Sequence, residues 1–221
     1  MAEIIRFDSV AKTYHGEALD CEVFTDFSAV VERGEFAVLT GASGSGKTTL
    51  IRMLLADIKP DSGKVLVNGA DITKLRSRQI PAYRRTMGVI FQDYKLIKEK
   101  SAEENIRLAI MAAGAPLKDA NQKIWNVAKL LGITELLKRR PDEMSGGQQQ
   151  KICLARAIVN NPPILLADEP TANLDPGYSK EIMRLFKVIN SMGYTLFVAT
   201  QDPVIADAEG IKRIRIRSQV L

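Results

Sequence analysis

Cysteine and histidine are scarce in this 221-residue chain, which contains two cysteines and one histidine. Cys21 and Cys153 lack the spacing of metal ligands, so the sequence indicates neither a disulfide framework nor a cysteine-based metal site. Long hydrophobic runs are also missing: the longest mainly apolar stretch, 108–117, is broken by Gly114 and Pro116, whereas a membrane-spanning helix needs ~20 apolar residues. The opening segment 1–6 is short and acidic at Glu3, unlike a signal peptide. We therefore expect a soluble, cytoplasmic chain that relies on another protein for any membrane-spanning part.

Charge is not concentrated in one sign or in one place. The 31 Lys and Arg residues and the 26 Asp and Glu residues leave a formal net charge of +5, and no dense basic block predicts binding to DNA or RNA. The mild positive charge fits a polyanionic nucleotide or a position near a cytoplasmic membrane surface. With 46% hydrophobic residues, the chain can form one large α/β domain or a core with a subdomain.

Short apolar segments alternate with helical patterns along the chain. Seven of these segments are predicted strands, at residues 4–10, 23–31, 36–40, 64–67, 88–91, 164–167 and 195–199. A helix is predicted around 180–192. Between 92 and 144 the pattern is helical, with a capping box at 101–104, and this stretch is predicted to be a helical subdomain inserted into the α/β core. In 211–217 isoleucines alternate with basic residues, which predicts a half-exposed edge strand.

A glycine-rich loop follows the predicted strand at 36–40 and precedes a helical pattern. Its residues match the phosphate-loop motif G-x-x-x-x-G-K-[ST] in the required strand–loop–helix context. Glycines let the backbone wrap around phosphates with the N–H groups pointing inward. Lys47 is expected to reach the β- and γ-phosphates, and the Thr48 hydroxyl to ligate Mg²⁺. The predicted nucleotide contacts of this loop are Gly41, Ala42, Ser43, Gly44, Ser45, Gly46, Lys47, Thr48 and Thr49.

Two adjacent carboxylates, Asp168 and Glu169, end the apolar segment 164–167. Mg²⁺ prefers hard oxygen ligands and keeps several of its waters, so Asp168 is predicted to hold the metal through water. Glu169 is predicted to be the general base that polarises the attacking water.

A second candidate anion site lies at Ser145, Gly146, Gly147 and Gln148, which we call the SGGQ turn. Small polar residues at a helix N-terminus leave backbone N–H groups free to bind an anion. Two such sites far apart in one sequence suggest that one nucleotide is held between two copies of the chain.

The order of these motifs resembles that of ATP-binding cassette (ABC) ATPases. The phosphate loop, Gln92, the SGGQ turn, the Asp168 and Glu169 pair and the segment 173–175 occur in the family's order and cover nearly the whole chain. The amino-acid sequences of segments 80–85, 91–94 and 166–175 are similar to those of one branch of the family. This branch contains the cell-division ATPase FtsE and the lipoprotein-releasing and MacB-type exporters. Within that branch, the sequence of 145–150 is more similar to that of the exporters, and the sequence of 91–96 is more similar to that of FtsE.

The resemblance implies an α/β fold. Its parts would be a phosphate-loop NTPase core with a mixed or parallel sheet, an N-terminal antiparallel β subdomain and an inserted α-helical subdomain. All belong to a single ABC domain at 1–221, with the core at 1–92 and 145–221 and the helical subdomain at about 93–144.

The resemblance also implies roles for individual residues. Tyr14 would stack on adenine, although an ordinary edge-strand tyrosine is the alternative. Gln92 would sense Mg²⁺ and the γ-phosphate while linking core and helical subdomain, which makes Thr48, Gln92 and Asp168 the predicted metal residues. Ser145, Gly146 and Gly147 would contact the γ-phosphate bound by the opposite protomer, with Gln148 in support. Asp175 would belong to the loop that connects the two sites.

One position departs from the family pattern. A histidine that contacts the γ-phosphate follows the corresponding strand in the family, whereas this chain has Gln201 there and its histidine at His15. Glutamine can donate a hydrogen bond to a phosphate oxygen but cannot become cationic near neutral pH. We therefore expect slow turnover, or partial substitution by Gln201. In the alternative, Glu169 supplies most of the rate and Gln201 only positions groups.

The combined prediction is the ATP-binding and ATP-hydrolysing subunit of an ABC-type membrane complex. Its catalytic residues would be Lys47, Glu169 and Gln201, and its cofactors ATP and Mg²⁺. ATP would close a dimer of two copies on the inner face of the cell membrane. That dimer would drive an integral membrane permease of the FtsX, LolC or MacB type, in export, extraction or force transmission.

Several alternatives stay open from the sequence. The chain could be a division ATPase like FtsE without a transported substrate, or a regulatory module with little turnover. Tyr94, Leu96 and Ile97, beside the predicted hinge at Gln92, could dock a short helix of the membrane partner or pack internally. A single cassette without a long helical insert makes nucleic acid an unexpected partner.

Overall fold

The computed structural model describes residues 2–16, 20–172 and 174–216. Its N-terminal part is an antiparallel sheet with strand order β2-β1-β4-β5. Strand β1 forms the middle of this sheet, because Ile5 pairs with Val31 on one side and with Val67 on the other. The strands are β1 (Glu3–Tyr14), β2 (Cys21–Glu32), β4 (Ser62–Val67) and β5 (Ala70–Asp71).

A second, parallel sheet carries the phosphate loop. Its order is β6-β7-β8-β3-β9, and every pairing between neighbouring strands is parallel. Strands β7 and β8 are buried along their whole length, as expected for central strands covered on both faces. The bounds are β3 (Phe36–Thr40), β6 (Met87–Ile90), β7 (Ile164–Asp168), β8 (Thr195–Ala199) and β9 (Lys212–Arg215).

Seven α-helices connect and cover the sheets in the described residues. They are α1 (Lys47–Leu54), α2 (Ile80–Arg84), α3 (Ala102–Ala112), α4 (Ala120–Leu131), α5 (Gly146–Ile158), α6 (Pro176–Ser191) and α7 (Pro203–Ala206). Short 3₁₀ helices lie at Ile72–Lys74, Ser77–Gln79, Leu117–Asp119, Thr134–Leu136 and Pro141–Glu143. No helix in these parts of the chain combines the length and apolar composition that crossing a lipid bilayer requires.

Two apolar cores lie on opposite faces of the parallel sheet, as the period of two along β3 shows. Val38 belongs to the core shared with α3, α4, α5 and α6. Its neighbours Ala37 and Leu39 belong to the core shared with α1 and the antiparallel sheet. Because alternate side chains of a strand point to opposite faces, the parallel sheet is the middle layer of three.

The predicted α/β fold with a parallel sheet, an antiparallel N-terminal sheet and helices between β6 and β7 is confirmed. The predicted capping box is present, because the Ser101 hydroxyl accepts from the Glu104 N–H and the Glu104 carboxylate accepts from the Ser101 N–H. Strand β9 is an edge strand with alternating exposure, as predicted. Arg217 of the predicted edge strand and Asn173 of the segment 173–175 lie outside the described residues.

Several boundaries differ from the sequence prediction, including those of β1 and α6. Strand β1 extends beyond the predicted 4–10 to Tyr14, which pairs with Cys21. Helix α6 begins at Pro176 rather than near residue 180, because the Asp175 side chain accepts hydrogen bonds from the N–H groups of Gly177 and Tyr178. Proline at the first helical position needs no donor and is therefore well placed there.

Candidate nucleotide site

The phosphate loop joins the end of β3 to the start of α1. Gly46, the N-cap of α1, has φ of 96°, a left-handed conformation that favours glycine. A Cβ at this position would lie 2.4 Å from atoms of Phe24 and Val23, so packing under the loop also requires glycine. The Ser45 hydroxyl is buried without a protein partner. The unpartnered Ser45 hydroxyl and the N-terminus of α1 together fit a bound phosphate group.

Lys47 is buried at the centre of this loop. Its Nζ lies 3.0 Å from the Gly41 carbonyl oxygen and 3.1 Å from that of Ala42. The Glu169 Oε1 atom is 3.4 Å away. A lysine side chain is rarely buried without such oxygen partners, and phosphate oxygens satisfy the same three donors.

Thr48 and Asp168 lie on facing elements, α1 and β7. The Thr48 hydroxyl donates to Asp168 Oδ1 over 3.2 Å. Burial raises the pKa of the Asp168 carboxyl; the Thr48 hydrogen bond and the charge of Lys47 lower it, whereas the charge of Glu169 raises it. Two hard oxygens side by side fit Mg²⁺, which keeps several waters. In the described residues, no group of three or more His, Cys, Asp or Glu side chains is placed to hold a metal ion.

Glu169 has a left-handed backbone with φ of 45°, which is uncommon for a residue with a side chain. Its N–H donates to the Ala199 carbonyl over 2.8 Å, which fixes the turn after β7 against the end of β8. The carboxylate contacts Gln201, whose backbone N–H is 3.1 Å from Oε2 and whose Nε2 is 3.4 Å from Oε1. Glu169 is therefore held between Lys47 and Gln201.

These elements surround an open cavity of about 790 Å³. It is lined by predicted site residues, namely Ser43, Gly44, Gly46, Lys47, Thr48, Thr49, Gln92, Glu169 and Gln201. Gln92 follows β6 and is exposed there. The structure thus brings together residues that are more than 150 positions apart in the sequence.

Tyr14 lies beside this cavity without lining it. Its hydroxyl is 3.4 Å from Thr49 Oγ1, its exposed fraction is 36%, and the Lys12 ammonium lies 5.6 Å from its ring centroid. An exposed ring next to a phosphate-loop residue can stack on a base.

No residue of the SGGQ turn lines the cavity, although a Cβ at Gly146 would lie 3.3 Å from Leu174, which does line it. The Ser145 hydroxyl accepts from the Gln148 N–H over 3.3 Å, and Gln148 Oε1 accepts from the Ser145 N–H over 3.0 Å. Gly147 packs against Tyr178 of α6, where a Cβ would come within 2.1 Å of the ring. The turn is a capped helix start outside the lining of the cavity that contains Lys47.

Sequence reasoning missed Thr171 as a cavity residue. Its hydroxyl is buried without a protein partner, and it lines the cavity two positions after Glu169. Nothing in residue type or spacing separates this threonine from one that packs. Only the fold shows that this threonine lines the cavity.

The arrangement is that of a phosphate-loop ATPase: a glycine loop on a parallel sheet, a buried lysine, a metal-competent oxygen pair and a carboxylate held for water activation. Comparisons with known proteins narrow this class. Residues 24–172 match the family model described as ABC transporter. The chain belongs to the ABC transporter family and is an ATP-binding, ATP-hydrolysing member of it, as predicted.

Relatives and a solved structure agree with this assignment. The chain is 44% identical over 180 residues to the cell division ATP-binding protein FtsE of Streptococcus pneumoniae, covering 81% of this chain and 78% of that protein. To FtsE of Mycobacterium tuberculosis it is 41% identical over 205 residues, covering 93% and 88%. The dimeric ATP-binding cassette MJ0796, solved in a post-hydrolysis state with ADP and phosphate, superposes with a TM-score of 0.86 at 29% identity, covering 97% of each chain.

Proposed function

We propose that two copies of this chain close around ATP and Mg²⁺ and use hydrolysis to drive a membrane partner. The observation that carries this proposal is that the SGGQ turn, a capped helix start, contributes no residue to the lining of the cavity that contains Lys47 and Glu169. A helix N-terminus with small residues is an anion site, and a symmetric dimer can present it to the partner's nucleotide. The dimeric cassette MJ0796 supports this arrangement.

Within each cavity, Lys47 binds the β- and γ-phosphates in place of its present carbonyl and carboxylate partners. Thr48 and Asp168 would hold Mg²⁺ with Gln92 nearby, and the metal would neutralise phosphate charge when bound. Glu169 accepts the proton of the attacking water at its carboxylate, which becomes free when Lys47 turns to phosphate. Phosphoryl transfer needs this kind of positioning and charge neutralisation more than covalent catalysis.

Gln201 keeps Glu169 in place through its backbone N–H and amide groups. The amide can also donate to a phosphate oxygen, but it cannot supply the positive charge of an imidazolium. Tyr14 stacks on adenine, and Ser145, Gly146, Gly147 and Gln148 complete the phosphate shell of the opposite copy.

The cellular role that we propose is that of an FtsE-like division ATPase acting with an integral membrane protein of the FtsX type at the inner face of the membrane. Identities of 44% and 41% to FtsE proteins support this role. We propose further that residues of about 93–144 form the helical subdomain that passes closure to this partner, with 1–92 and 145–221 as the core.

Depletion in the source organism tests the cellular role. Cells that elongate without dividing, and pull-down of a polytopic membrane protein by the purified chain, are the expected results. Normal division with an exported lipid or peptide retained in the membrane would instead favour an exporter ATPase of the same branch.

ATP-dependent closure is tested with Glu169→Gln, which keeps the shape of the side chain but cannot accept the proton. Light scattering should show a monomer without nucleotide and a dimer with ATP and Mg²⁺. The matched control is Glu169→Gln combined with Ser145→Arg, which should stay monomeric. A monomer of Glu169→Gln at saturating ATP would contradict the sandwich.

A further inference from the structure

Two consecutive residues after Gln92, Tyr94 and Lys95, have left-handed backbones with φ of 57° and 49°. This conformation is disfavoured for residues with a Cβ, and a run of two persists only where the surroundings impose it. The turn lies two to three positions from Gln92, which lines the nucleotide cavity.

Side chains of helix α5 hold this left-handed turn in place. Arg156 donates from Nη2 to the Tyr94 carbonyl over 2.6 Å and from Nη1 to the Lys95 carbonyl over 2.5 Å. The Cys153 thiol also donates to the Tyr94 carbonyl, over 3.2 Å. A guanidinium can bind two carbonyls at once because its donors form a planar fork.

The same helix meets the turn at its N-terminus. A Cβ at Gly146 would lie 3.0 Å from the Tyr94 hydroxyl, so the Tyr94 side chain reaches the SGGQ turn while its carbonyl is held by Arg156. Gly146, Cys153 and Arg156 are seven and three residues apart, which places them on one face of α5. The turn after Gln92 thus contacts α5 near both ends of the helix.

We infer that Arg156 is a positioning residue for Gln92. By fixing the left-handed turn it sets the place of Gln92 at the cavity, and through α5 it ties that place to the SGGQ turn of the same chain. The inference rests on the proposed role of Gln92 at Mg²⁺ and the γ-phosphate. It adds a connection within one chain between the residue at its own nucleotide and the turn that serves the partner's nucleotide.

The test compares Arg156→Gln with Arg84→Gln in the full-length chain. Arg84 is a matched control because it also donates to backbone carbonyls beside a left-handed residue: its Nε is 2.7 Å from the Leu55 carbonyl and its Nη2 3.5 Å from that of Ala56, and Ala56 has φ of 49°. Three quantities are measured: kcat, the Mg²⁺ concentration for half-maximal rate, and the Kd of a fluorescent ATP analogue with and without Mg²⁺.

Arg156→Gln should lower kcat and raise the Mg²⁺ requirement about 10- to 100-fold, as loss of a group that orients a metal-site residue does. The Mg²⁺-free Kd should stay unchanged because the phosphate loop is untouched. The ratio between the Kd values without and with Mg²⁺ should become smaller. Arg84→Gln should leave the Mg²⁺ requirement as it is.

A second variant separates the turn from general damage to α5. Lys95→Gly removes the penalty of the left-handed conformation, so Arg156→Gln with Lys95→Gly should recover part of the lost kcat and Mg²⁺ affinity. Should Arg156→Gln fail to fold, Arg156→Lys, which keeps the charge but lacks the planar fork of donors, should show an intermediate Mg²⁺ requirement. Equal effects of Arg156→Gln and Arg84→Gln, or no recovery by Lys95→Gly, would overturn the inference.

Gln92→Ala distinguishes the inference from the proposal beneath it. A raised Mg²⁺ requirement in Gln92→Ala but not in Arg156→Gln overturns the positioning role alone. An unchanged requirement in both variants overturns the proposed role of Gln92 as well.

Discussion

At the scale of single residues, we propose that the contact between Gln201 and Glu169 limits the rate of turnover. The backbone N–H of Gln201 holds one carboxylate oxygen and the side-chain amide the other. The first contact is independent of residue type, and the second is not. A substitution at this position therefore changes what reaches the phosphate without releasing Glu169.

We predict that Gln201→His raises kcat roughly tenfold, because an imidazole can carry the charge and proton that an amide cannot, and positioned acid–base groups contribute ~10²-fold or more. A steady-state ATPase assay at several pH values measures this. Gln201→Ala is the control and should fall below the unmodified chain. Equal rates for His and Gln would mean that residue 201 only positions Glu169.

Residue types with a fixed chemical meaning could be predicted from the sequence alone. Lys47, Thr48, Asp168 and Glu169 follow from motif and spacing, and all four meet at one place in the fold. Contacts that depend on side-chain direction could not be predicted. Arg156 binds a carbonyl 62 positions away, and no local pattern marks that arginine among the others.

At the scale of elements, two helices begin with the same capping box. Ser101 starts α3 and Ser145 starts α5, and in both boxes the serine hydroxyl accepts from a backbone N–H at 3.2 to 3.3 Å. A hydroxyl that accepts in this way still has its hydrogen to donate. Only the Ser145 hydroxyl is proposed to meet a phosphate.

This pair gives a matched prediction. Ser101→Ala and Ser145→Ala should each lower the free energy of unfolding by about 1 kcal/mol, the usual effect of losing an N-cap. Only Ser145→Ala should also lower kcat. Urea unfolding and an ATPase assay on both variants measure this. Equal kcat values for the two variants would remove the Ser145 hydroxyl from the phosphate shell.

The burial of Cys153 in helix α5 predicts how its thiol reacts. Burial raises the pKa of the Cys153 thiol to about 12, and the thiolate is the reactive form, so Cys153 should not react at pH 8 in the folded chain. Cys21 is exposed and should react. Ellman's reagent should therefore detect one fast thiol, and a second only in denaturant.

Cys21→Ser is the control and should show no fast thiol. Raising the pH from 7 to 9 should still leave Cys153 slow to react, because a pKa of about 12 keeps the thiolate a small fraction throughout that range. A fast thiol in Cys21→Ser would show that α5 opens in the native state and would contradict its packing against the turn at Tyr94.

Element types followed from periodicity, whereas element boundaries followed from caps. Buried strands such as β8 were predicted to the residue because both faces are apolar. Helix α6 was predicted too short, since its start depends on the Asp175 cap and on Pro176 rather than on apolar spacing. Strand β1 was predicted to end at residue 10, but pairing as far as Tyr14 and Cys21 extends it.

At the scale of the whole molecule, the proposed active site takes its residues from two copies of the chain. The cavity contains Lys47 and Glu169, and no residue of the SGGQ turn lines it. In the proposed dimer, each site is complete only when a second copy supplies its Ser145. Ser145→Arg should abolish hydrolysis while nucleotide binding to the monomer stays largely intact.

The most direct test mixes two inactive variants. Ser145→Arg keeps Lys47 and Glu169, and Glu169→Gln keeps Ser145, so a mixed dimer has one complete site. Equal mixing of the purified chains should restore about a quarter of the unmodified ATPase activity, since half of randomly paired dimers are mixed and each has one of its two sites intact. A mixture that stays as inactive as either variant alone would contradict the shared site.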